Sequence, residues 1–208
     1  MFELNSFLNM DCMEGMKQLP DKYFNLAVVD PPYGIDVTKM RMGNRDIKKI
    51  DTSKAWDMHV PDEKYFNELF CVSKNQIIWG GNYFTELSAT RCFLIWDKGE
   101  SMYSRSFSEC EYAWTSFDEN AKIRKIHPNQ KDRIHPTQKP VALYKWILNN
   151  YAKKGDKILD THVGSASSLV ACRELGFDYI GFELDPDYYK AASERLSVAK
   201  DQMNIFDY

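Results

Sequence analysis

Apolar positions in this chain follow two alternating patterns, short runs of strand formers and longer segments with helical spacing. The runs predict strands at residues 2–9, 24–29, 76–79, 92–96, 110–117, 157–159 and 179–182. The helical spacing predicts helices at residues 12–19, 61–71, 83–87, 141–151, 167–175 and 187–198. Strands that are apolar along their length are typical of a sheet covered by helices on both faces, so the pattern predicts an α/β fold. Residues 110–117 are predicted to run antiparallel to a neighbour, with residues 122–126 as an extension of that strand.

Two segments fall outside this pattern. Residues 35–60 are polar and basic and have no sustained periodicity, and a loop this long in a compact domain is usually functional or disordered. The last residues, 200–208, continue no strand or helix pattern. We therefore expect one domain over residues 1–199 that carries a mobile loop at 35–60, followed by a C-terminal tail.

Positive charge is concentrated in two segments of a chain whose formal net charge is −3. One segment lies within residues 37–54 and the other within residues 121–139. Together they could form one face that follows nucleic-acid phosphates, or they could be solvated loops. In the first segment the candidate phosphate contacts are Lys39, Arg41, Arg45, Lys48 and Lys49.

The composition narrows the class of protein further. At 208 residues and 44% hydrophobic, the chain is long enough to bury a sizeable core. Its five cysteines are scattered singly, which is typical of reduced thiols and favours a cytoplasmic location. Its four histidines lack metal-ligand spacing, so we expect no metal site. We also expect no membrane span and no signal peptide.

The first candidate for chemistry is the Asp-Pro-Pro-Tyr sequence at residues 30–33, directly after the predicted strand 24–29. Two prolines end the strand and fix a rigid turn, so Asp30 lies at the carboxyl end of a strand, where α/β sheets bind ligands. A carboxylate and the carbonyl between the prolines can accept both hydrogens of a base's exocyclic amine, and the tyrosine can stack on that base. The alternative is a buried aspartate that caps a turn.

The second candidate is a strand, glycine turn and helix over residues 158–167. Gly164 permits close approach of the backbone, and Glu183 ends the next strand, 19 positions later. An acid there can accept both hydroxyls of a ribose. Because there is one glycine where a dinucleotide fingerprint has three, the pattern favours a nucleoside without phosphate.

The third candidate is the His-Pro-Thr-Gln-Lys-Pro sequence at residues 135–140, just before the predicted helix 141–151. Thr137, Lys139 and the amino end of the helix could hold an anion such as a carboxylate. The alternative is an ordinary helix start with a proline at its first position.

Together these three motifs resemble the S-adenosylmethionine-dependent amino-methyltransferases of DNA. The catalytic motif precedes the cofactor motif, as in the permuted β group of that family. Segments 80–83, 96–98 and 111–114 are also similar to small bacterial and phage members. The resemblance implies a Rossmann-like methyltransferase sheet that is mostly parallel with an antiparallel edge strand, and a double-stranded DNA substrate. It implies transfer to adenine N6, because Asp rather than Ser precedes the prolines, with cytosine N4 as the alternative.

The resemblance also implies roles for individual residues. Asp30 and the Pro31 carbonyl would bind the adenine amine, and Tyr33 would stack on the base. Thr137 and Lys139 would lie near the carboxylate of S-adenosylmethionine. The implied catalytic residues are Asp30, Pro31, Pro32 and Tyr33. The implied cofactor-binding residues are Asp11, Cys12, Thr137, Lys139, Asp160, His162, Gly164, Ser165 and Glu183.

Two positions depart from the family's usual Asp-Pro-Phe-x-Gly-Ser-Gly pattern. His162 stands where the family has a phenylalanine that packs on the cofactor, and Ala166 stands where it has a glycine. These departures leave two hypotheses, an active methyltransferase and a DNA-binding module that has lost the cofactor. The intact motif at residues 30–33 favours the enzyme.

The tail contains apolar residues that a solubilising tail would lack. It resembles the peptide by which bacterial proteins dock on the replicative sliding clamp. The matching residues are Gln202, Met203, Ile205 and Phe206. The alternative is that the tail packs on the protein's own surface. A homodimer is a separate expectation.

Overall fold

The computed structural model describes residues 2–35, 60–105, 107–130 and 133–206. The strands in this part of the chain are β1 Ser6–Asn9, β2 Phe24–Val29, β3 Ser73–Trp79, β4 Phe93–Asp97, β5 Cys110–Thr115, β6 Lys122–Lys125, β7 Lys157–Asp160 and β8 Asp178–Glu183. The α-helices are α1 Cys12–Met16, α2 Glu63–Val72, α3 Val141–Tyr151, α4 Ser167–Leu175 and α5 Pro186–Phe206.

All eight strands form one sheet, in the order β1-β8-β7-β2-β3-β5-β4-β6. Strand β5 is antiparallel to both of its neighbours, and the other pairs are parallel. The mostly parallel α/β sheet predicted from the sequence is therefore confirmed. The antiparallel strand lies between β3 and β4 rather than at the edge. The predicted extension at residues 122–126 is not part of β5; residues 122–125 form β6, which pairs with β4 and brings Lys122 opposite Leu94.

Helices cover both faces of the sheet, as predicted. On β2, Leu26 and Val28 point into a core shared with α3 and α4. Ala27 and Val29 point into a second core shared with α2. This alternation explains why β2 is apolar at successive positions, since each face meets its own helical layer.

The carboxyl ends of three adjacent strands meet at one edge of the sheet. Strand β2 pairs with β7, and β7 pairs with β8. Asp30 directly follows β2, whereas Asp160 and Glu183 end β7 and β8. The first two candidate motifs are thus neighbours, although about 130 residues separate them along the chain, because a parallel sheet gathers strand ends at one edge.

Several element bounds differ from the predicted ones. Strand β1 begins at Ser6 rather than Phe2, because Asn5 adopts a left-handed turn with φ 64°. The helix predicted for residues 83–87 is absent; residues Gly81–Tyr83 form a 3₁₀ turn, and Phe84 returns to extended backbone. Pro140 is the N-cap residue of α3 rather than its first residue.

The last helix is longer than predicted. Helix α5 runs to Phe206 and so includes most of the segment that we interpreted as a tail without helical structure. No glycine or proline interrupts residues 187–206, so nothing local ends the helix at Val198. Among the described helices, α5 included, none is both long and apolar enough to cross a membrane.

Candidate active site

Asp30 is the centre of the first site. Its side chain is 16% exposed, and both of its oxygens accept hydrogen bonds. The Tyr33 hydroxyl donates to Oδ1, and the Lys139 ammonium group donates to Oδ2 as one half of an ion pair. The rigid turn after β2 therefore presents a carboxylate that two side chains already hold in one orientation.

Lys139 links Asp30 to a second, partly buried carboxylate, that of Glu111. Its side chain is 3% exposed, and its Nζ lies 3.2 Å from the Tyr33 hydroxyl and 3.1 Å from Glu111 Oε2. The other oxygen of Glu111 lies 2.9 Å from Lys98 Nζ. These contacts form a network of alternating charge that consists of Asp30, Lys139, Glu111 and Lys98. Because this network has two charges of each sign, it can be buried without a net charge.

The pKa shifts in this charge network follow from burial and from the neighbouring charges. Burial raises the pKa of Asp30, and Lys139 offsets only part of that effect. Burial lowers the pKa of Lys139, but Asp30 and Glu111 outweigh it, so the net shift is upward. Burial raises the pKa of Glu111, but Lys139 and Lys98 outweigh it, so the net shift is downward. Lys139 and Glu111 therefore stay charged at neutral pH, and Asp30 is the member most easily protonated.

The ring of Tyr33 is fixed by two neighbours. A side chain at Gly80 would overlap this ring, and Gly80 has φ 70°, so both space and backbone require glycine there. The ring of Tyr83 stacks on Tyr33 with centroids 5.0 Å apart and planes 12° apart. Burial raises the pKa of the Tyr33 hydroxyl well above its usual value, so this group is a neutral donor.

These residues line an open cavity of about 520 Å³. Asp30, Tyr33, Glu111 and Lys139 lie on its wall together with Thr137. A volume of this size is ordinary for a small-molecule pocket and accommodates a single nucleobase. The cavity therefore joins a preorganised carboxylate to aromatic and proline surfaces, which suits a planar ring carrying an amine.

The second site surrounds the glycine turn after β7. Gly164 has φ 54°, and its N–H donates to Glu183 Oε2 at 2.8 Å. Asp160 accepts hydrogen bonds from the backbone N–H of His162 at 3.0 Å and from the Ser168 hydroxyl. Burial raises the pKa of Asp160 to about 7. Each oxygen of Glu183 retains a lone pair for a ligand hydroxyl, because each carboxylate oxygen can accept two hydrogen bonds.

His162 behaves as a neutral aromatic ring in this site. Its ring lies edge-on to Tyr65 with centroids 5.4 Å apart. Its Nδ1 lies 2.9 Å from the Thr161 hydroxyl, which is 2.7 Å from the hydroxyl of Tyr65. Burial lowers the pKa of His162 to about 4, which leaves the imidazole uncharged near neutral pH.

Asp11 and Cys12 lie where α1 begins. The Asp11 side chain accepts hydrogen bonds from the backbone N–H groups of Met13 and Glu14, so it caps the helix. Burial, followed by the Asp11 charge, raises the pKa of the Cys12 thiol to about 12. Glu183 contributes a smaller effect of the same sign on Cys12, which associates α1 with the end of β8.

The loop before α3 touches both sites. The His135 ring lies 3.7 Å from the position that a Cβ at Gly164 would take. The Thr137 hydroxyl is 3.1 Å from His135 Nδ1. We expected Lys139 beside the cofactor's carboxylate, but its ammonium group pairs with Asp30 and Glu111 in the first site. Ser165 is also used locally, with its hydroxyl 3.1 Å from that of Ser167 at the start of α4.

The structure brings most of the predicted residues into these two neighbouring sites. The predicted phosphate contacts lie outside the described residues: Lys39, Arg41, Arg45, Lys48 and Lys49. Sequence reasoning missed Glu111, Lys98 and Tyr83 as site residues. A signal was present for Glu111, since it is a charged residue in the otherwise uncharged segment that forms β5. Within the described ranges, no group of three acidic, histidine or cysteine side chains is placed to hold a metal.

Comparison with known proteins identifies the family. The N6/N4 methyltransferase family model, described as DNA methylase, matches residues 36–194. The chain belongs to this family. It is also 37% identical over 79 residues to the type II methyltransferase M.HpaI of Haemophilus parainfluenzae. That match covers 38% of this chain and 24% of M.HpaI, so the chain spans well under two thirds of this relative.

Two solved structures share the fold across nearly the whole chain. The complex of M1.HpyAVI with S-adenosylmethionine superposes with a TM-score of 0.60 at 19% identity, and covers 91% of this chain and 98% of that one. The cytosine-N4-specific PvuII DNA methyltransferase gives a TM-score of 0.59 at 11% identity, and covers 95% of this chain and 91% of that one. The Rossmann-like methyltransferase fold is therefore confirmed.

Proposed function

We propose that this chain transfers a methyl group from S-adenosylmethionine to the N6 amine of an adenine that has been flipped out of double-stranded DNA. The observation that carries the proposal is the partly buried, preorganised carboxylate of Asp30. It lies at a strand end, on the wall of a cavity large enough for one base, beside the glycine turn of the second site. An aspartate in this position is an acceptor for an amine, which fits a reaction at an exocyclic nitrogen.

The second site fits S-adenosylmethionine by the chemistry of its donors and acceptors. Glu183 offers acceptors for the ribose hydroxyls, and the left-handed turn at Gly164 keeps backbone close to it. The half-buried ring of His162, which packs on the buried Tyr65 of α2, offers aromatic surface. S-adenosylmethionine supplies an electrophilic methyl group when bound.

The chain's own residues prepare the amine. The lone pair of an exocyclic amine is delocalised into the ring, so the nitrogen is a poor nucleophile until it becomes tetrahedral. In the proposal Asp30 and the Pro31 carbonyl accept its two hydrogens, and Tyr33 supports the ring. Acceptors held in place before the reaction stabilise the positive charge that develops on the nitrogen.

The test is methyl transfer to duplex DNA, followed by mass spectrometry of the nucleosides. We expect N6-methyladenine. We expect Asp30→Asn to lower turnover about a hundredfold or more, because it removes a preorganised charged acceptor. Binding of S-adenosylmethionine, followed by calorimetry, should persist in this variant.

The matched control is Asp118→Asn. In the wild type the Asp118 side chain is 92% exposed and pairs with Arg91 at the surface. This variant should keep wild-type turnover. Turnover in Asp30→Asn close to that of the control would contradict the proposed mechanism. A wild-type chain that binds DNA but neither binds S-adenosylmethionine nor transfers methyl groups would favour the DNA-binding module.

Transfer to cytosine N4 is the second candidate. The fold match to the cytosine-N4-specific PvuII enzyme supports it, because the two chains share their architecture over most of their length. Both bases present an exocyclic amine, and the buried acceptors suit either one. Detection of N4-methylcytosine without N6-methyladenine would select this candidate.

The remaining parts of the proposal rest on the sequence. We propose that residues 35–60 contact DNA phosphates and that the protein works in the cytoplasm, as part of a restriction-modification system or as a separate methyltransferase. A homodimer and clamp docking through Gln202, Met203, Ile205 and Phe206 stay predictions. The backbone of α5 includes these four residues.

A further inference from the structure

The two donors that hold Asp30 affect its proposed substrate differently, because only one of them is a cation. The Tyr33 hydroxyl occupies Oδ1 and the Lys139 ammonium group occupies Oδ2. Each oxygen can accept a second hydrogen bond from an amine, but the positive charge that develops on that amine during transfer is repelled by the Lys139 ammonium group on the same carboxylate. Of the two, Lys139 carries a charge, so moving it away from Asp30 requires another anion within reach.

Glu111 provides that anion. Its Oε2 is buried and lies 3.1 Å from Lys139 Nζ, but the angles between the groups do not make a hydrogen bond. Among the described residues this oxygen has no hydrogen-bond donor. Lys98 holds the other oxygen of Glu111 at 2.9 Å and so fixes the carboxylate in place. A small rotation of the ammonium group toward Oε2 would give that oxygen a hydrogen bond and keep every charge in the network paired.

We propose that Lys139 and Glu111 are positioning residues for Asp30. Lys139 holds the carboxylate ionised and oriented before the base arrives, and Glu111 receives the ammonium group when the base's amine donates to Asp30. This inference rests on the proposed function and extends it to the residues that prepare the catalytic carboxylate.

The inference has a signature in the pH dependence. Removing the positive charge of Lys139 makes the ionised form of Asp30 less stable, so its pKa should rise. Removing the negative charge of Glu111 has the opposite effect, so the pKa of Asp30 should fall. The other titratable groups that interact with Asp30 are Tyr33 of its own turn, Tyr65 of α2, Tyr144 of α3 and Asp160 of β7. They are present in every variant, so they cancel in the comparison.

The experiment compares the acid limb of kcat/KM against pH for the wild type, Lys139→Met and Glu111→Gln. The limb should move to higher pH in Lys139→Met, by about one to three units, and to lower pH in Glu111→Gln. Lys139→Arg keeps the charge and should leave the limb near its wild-type position. Glu111→Gln should also lower kcat about tenfold or more, because Lys139 loses its second partner. KM for DNA should stay near its wild-type value.

A purely structural role predicts a different result. Both single variants would then lose activity or stability without opposite movements of the acid limb, and that outcome would overturn the inference. The double variant Lys139→Met with Glu111→Gln removes one charge of each sign, so it is the version best able to fold. Its limb should lie between those of the single variants.

A second readout separates this inference from the proposed function. Carbon-13 NMR of labelled aspartate, with the Asp30 signal assigned through Asp30→Asn, measures the titration of this carboxyl without any turnover. Opposite shifts of its pKa in the two single variants would support the positioning role even if the wild type methylated no DNA. Equal or absent shifts would refute it even if the enzyme were active.

Discussion

At the level of single residues, burial decides how the two histidines near the glycine turn are used. Burial lowers the pKa of His135 to about 3 and that of His162 to about 4. Both rings are therefore neutral near pH 7, and each packs edge-on against a tyrosine, Tyr188 and Tyr65 respectively. His162 thus supplies an uncharged aromatic surface at the position where the family pattern has phenylalanine.

This use of His162 gives a prediction for His162→Phe. A histidine whose pKa is lowered on folding contributes stability above its unfolded pKa of about 6.5, and that contribution is lost as the pH falls toward about 4. Phenylalanine cannot take up a proton. As the pH falls between these values, we therefore expect the free energy of unfolding of the variant to rise relative to that of the wild type by about 1–2 kcal/mol. This is less than full burial would give, because the ring is partly exposed.

The measurement is urea unfolding of both proteins across pH 4 to 7, without cofactor. His135 and Asp160 also titrate in or near this range, but they are common to both chains and cancel in the difference. Affinity for S-adenosylmethionine at pH 7 should change little, since one neutral ring replaces another. A stability difference that did not vary with pH would show that His162 is not held neutral by burial.

At the level of elements, helix α4 begins under backbone strain. Its N-cap residue, Ala166, is fully buried and left-handed, with φ 60° and ψ 21°, and it makes no side-chain capping bond. This conformation costs an L-residue with a Cβ about 1–2 kcal/mol. The alanine that replaces the family's glycine is therefore accommodated, at the expense of stability.

We expect Ala166→Gly to stabilise the protein by about 1 kcal/mol, since relief of strain exceeds the extra entropy of glycine in the unfolded chain. Gly176→Ala, at the other end of α4, is the matched opposite. Gly176 has φ 73°, and no atom lies within 4 Å of the position that a Cβ there would take, so its cost of about 1 kcal/mol comes from the backbone alone. Thermal unfolding of both variants measures the effect. A loss of stability in Ala166→Gly would mean that packing of the alanine methyl outweighs the strain.

The local elements could be predicted where the sequence itself marks their ends. The bounds of β2 and α4 agree with the predicted ones, because prolines follow the strand and Gly176 ends the helix. The order of strands in the sheet could not be predicted. Strand β6 follows β5 in the chain, yet it pairs with β4, and β5 lies between β3 and β4, a choice that depends on contacts across the whole sheet.

The same limit applies to the active site at the scale of the whole molecule. Asp30, Asp160 and Glu183 could be predicted as strand-end acids, because a strand ends at or just before each of them. The pairing of Asp30 with Lys139 joins positions 109 apart in sequence, and Glu111 reaches Lys139 because β5 lies beside β3. Such pairings follow from the tertiary arrangement, so no local pattern indicates them.

Charge at the whole-molecule scale gives the last prediction. The protein has a net charge of −3, and the four charges in the wall of the pocket balance, so attraction to DNA must come from local basic segments. We expect Lys48→Ala with Lys49→Ala to weaken DNA binding and to reduce the slope of log K against log salt by roughly one unit per lost phosphate contact, about two in all. Affinity for S-adenosylmethionine should not change.

The matched control is Lys153→Ala with Lys154→Ala. These exposed lysines precede β7 and so lie at the opposite edge of the sheet from Asp30 and Asp160. This pair removes the same charge, so it separates a contact with phosphate from a change in the overall field. Fluorescence anisotropy with a duplex at several salt concentrations measures both slopes. Equal slopes for the two double variants would exclude Lys48 and Lys49 as phosphate contacts, because net charge alone would then explain the weaker binding.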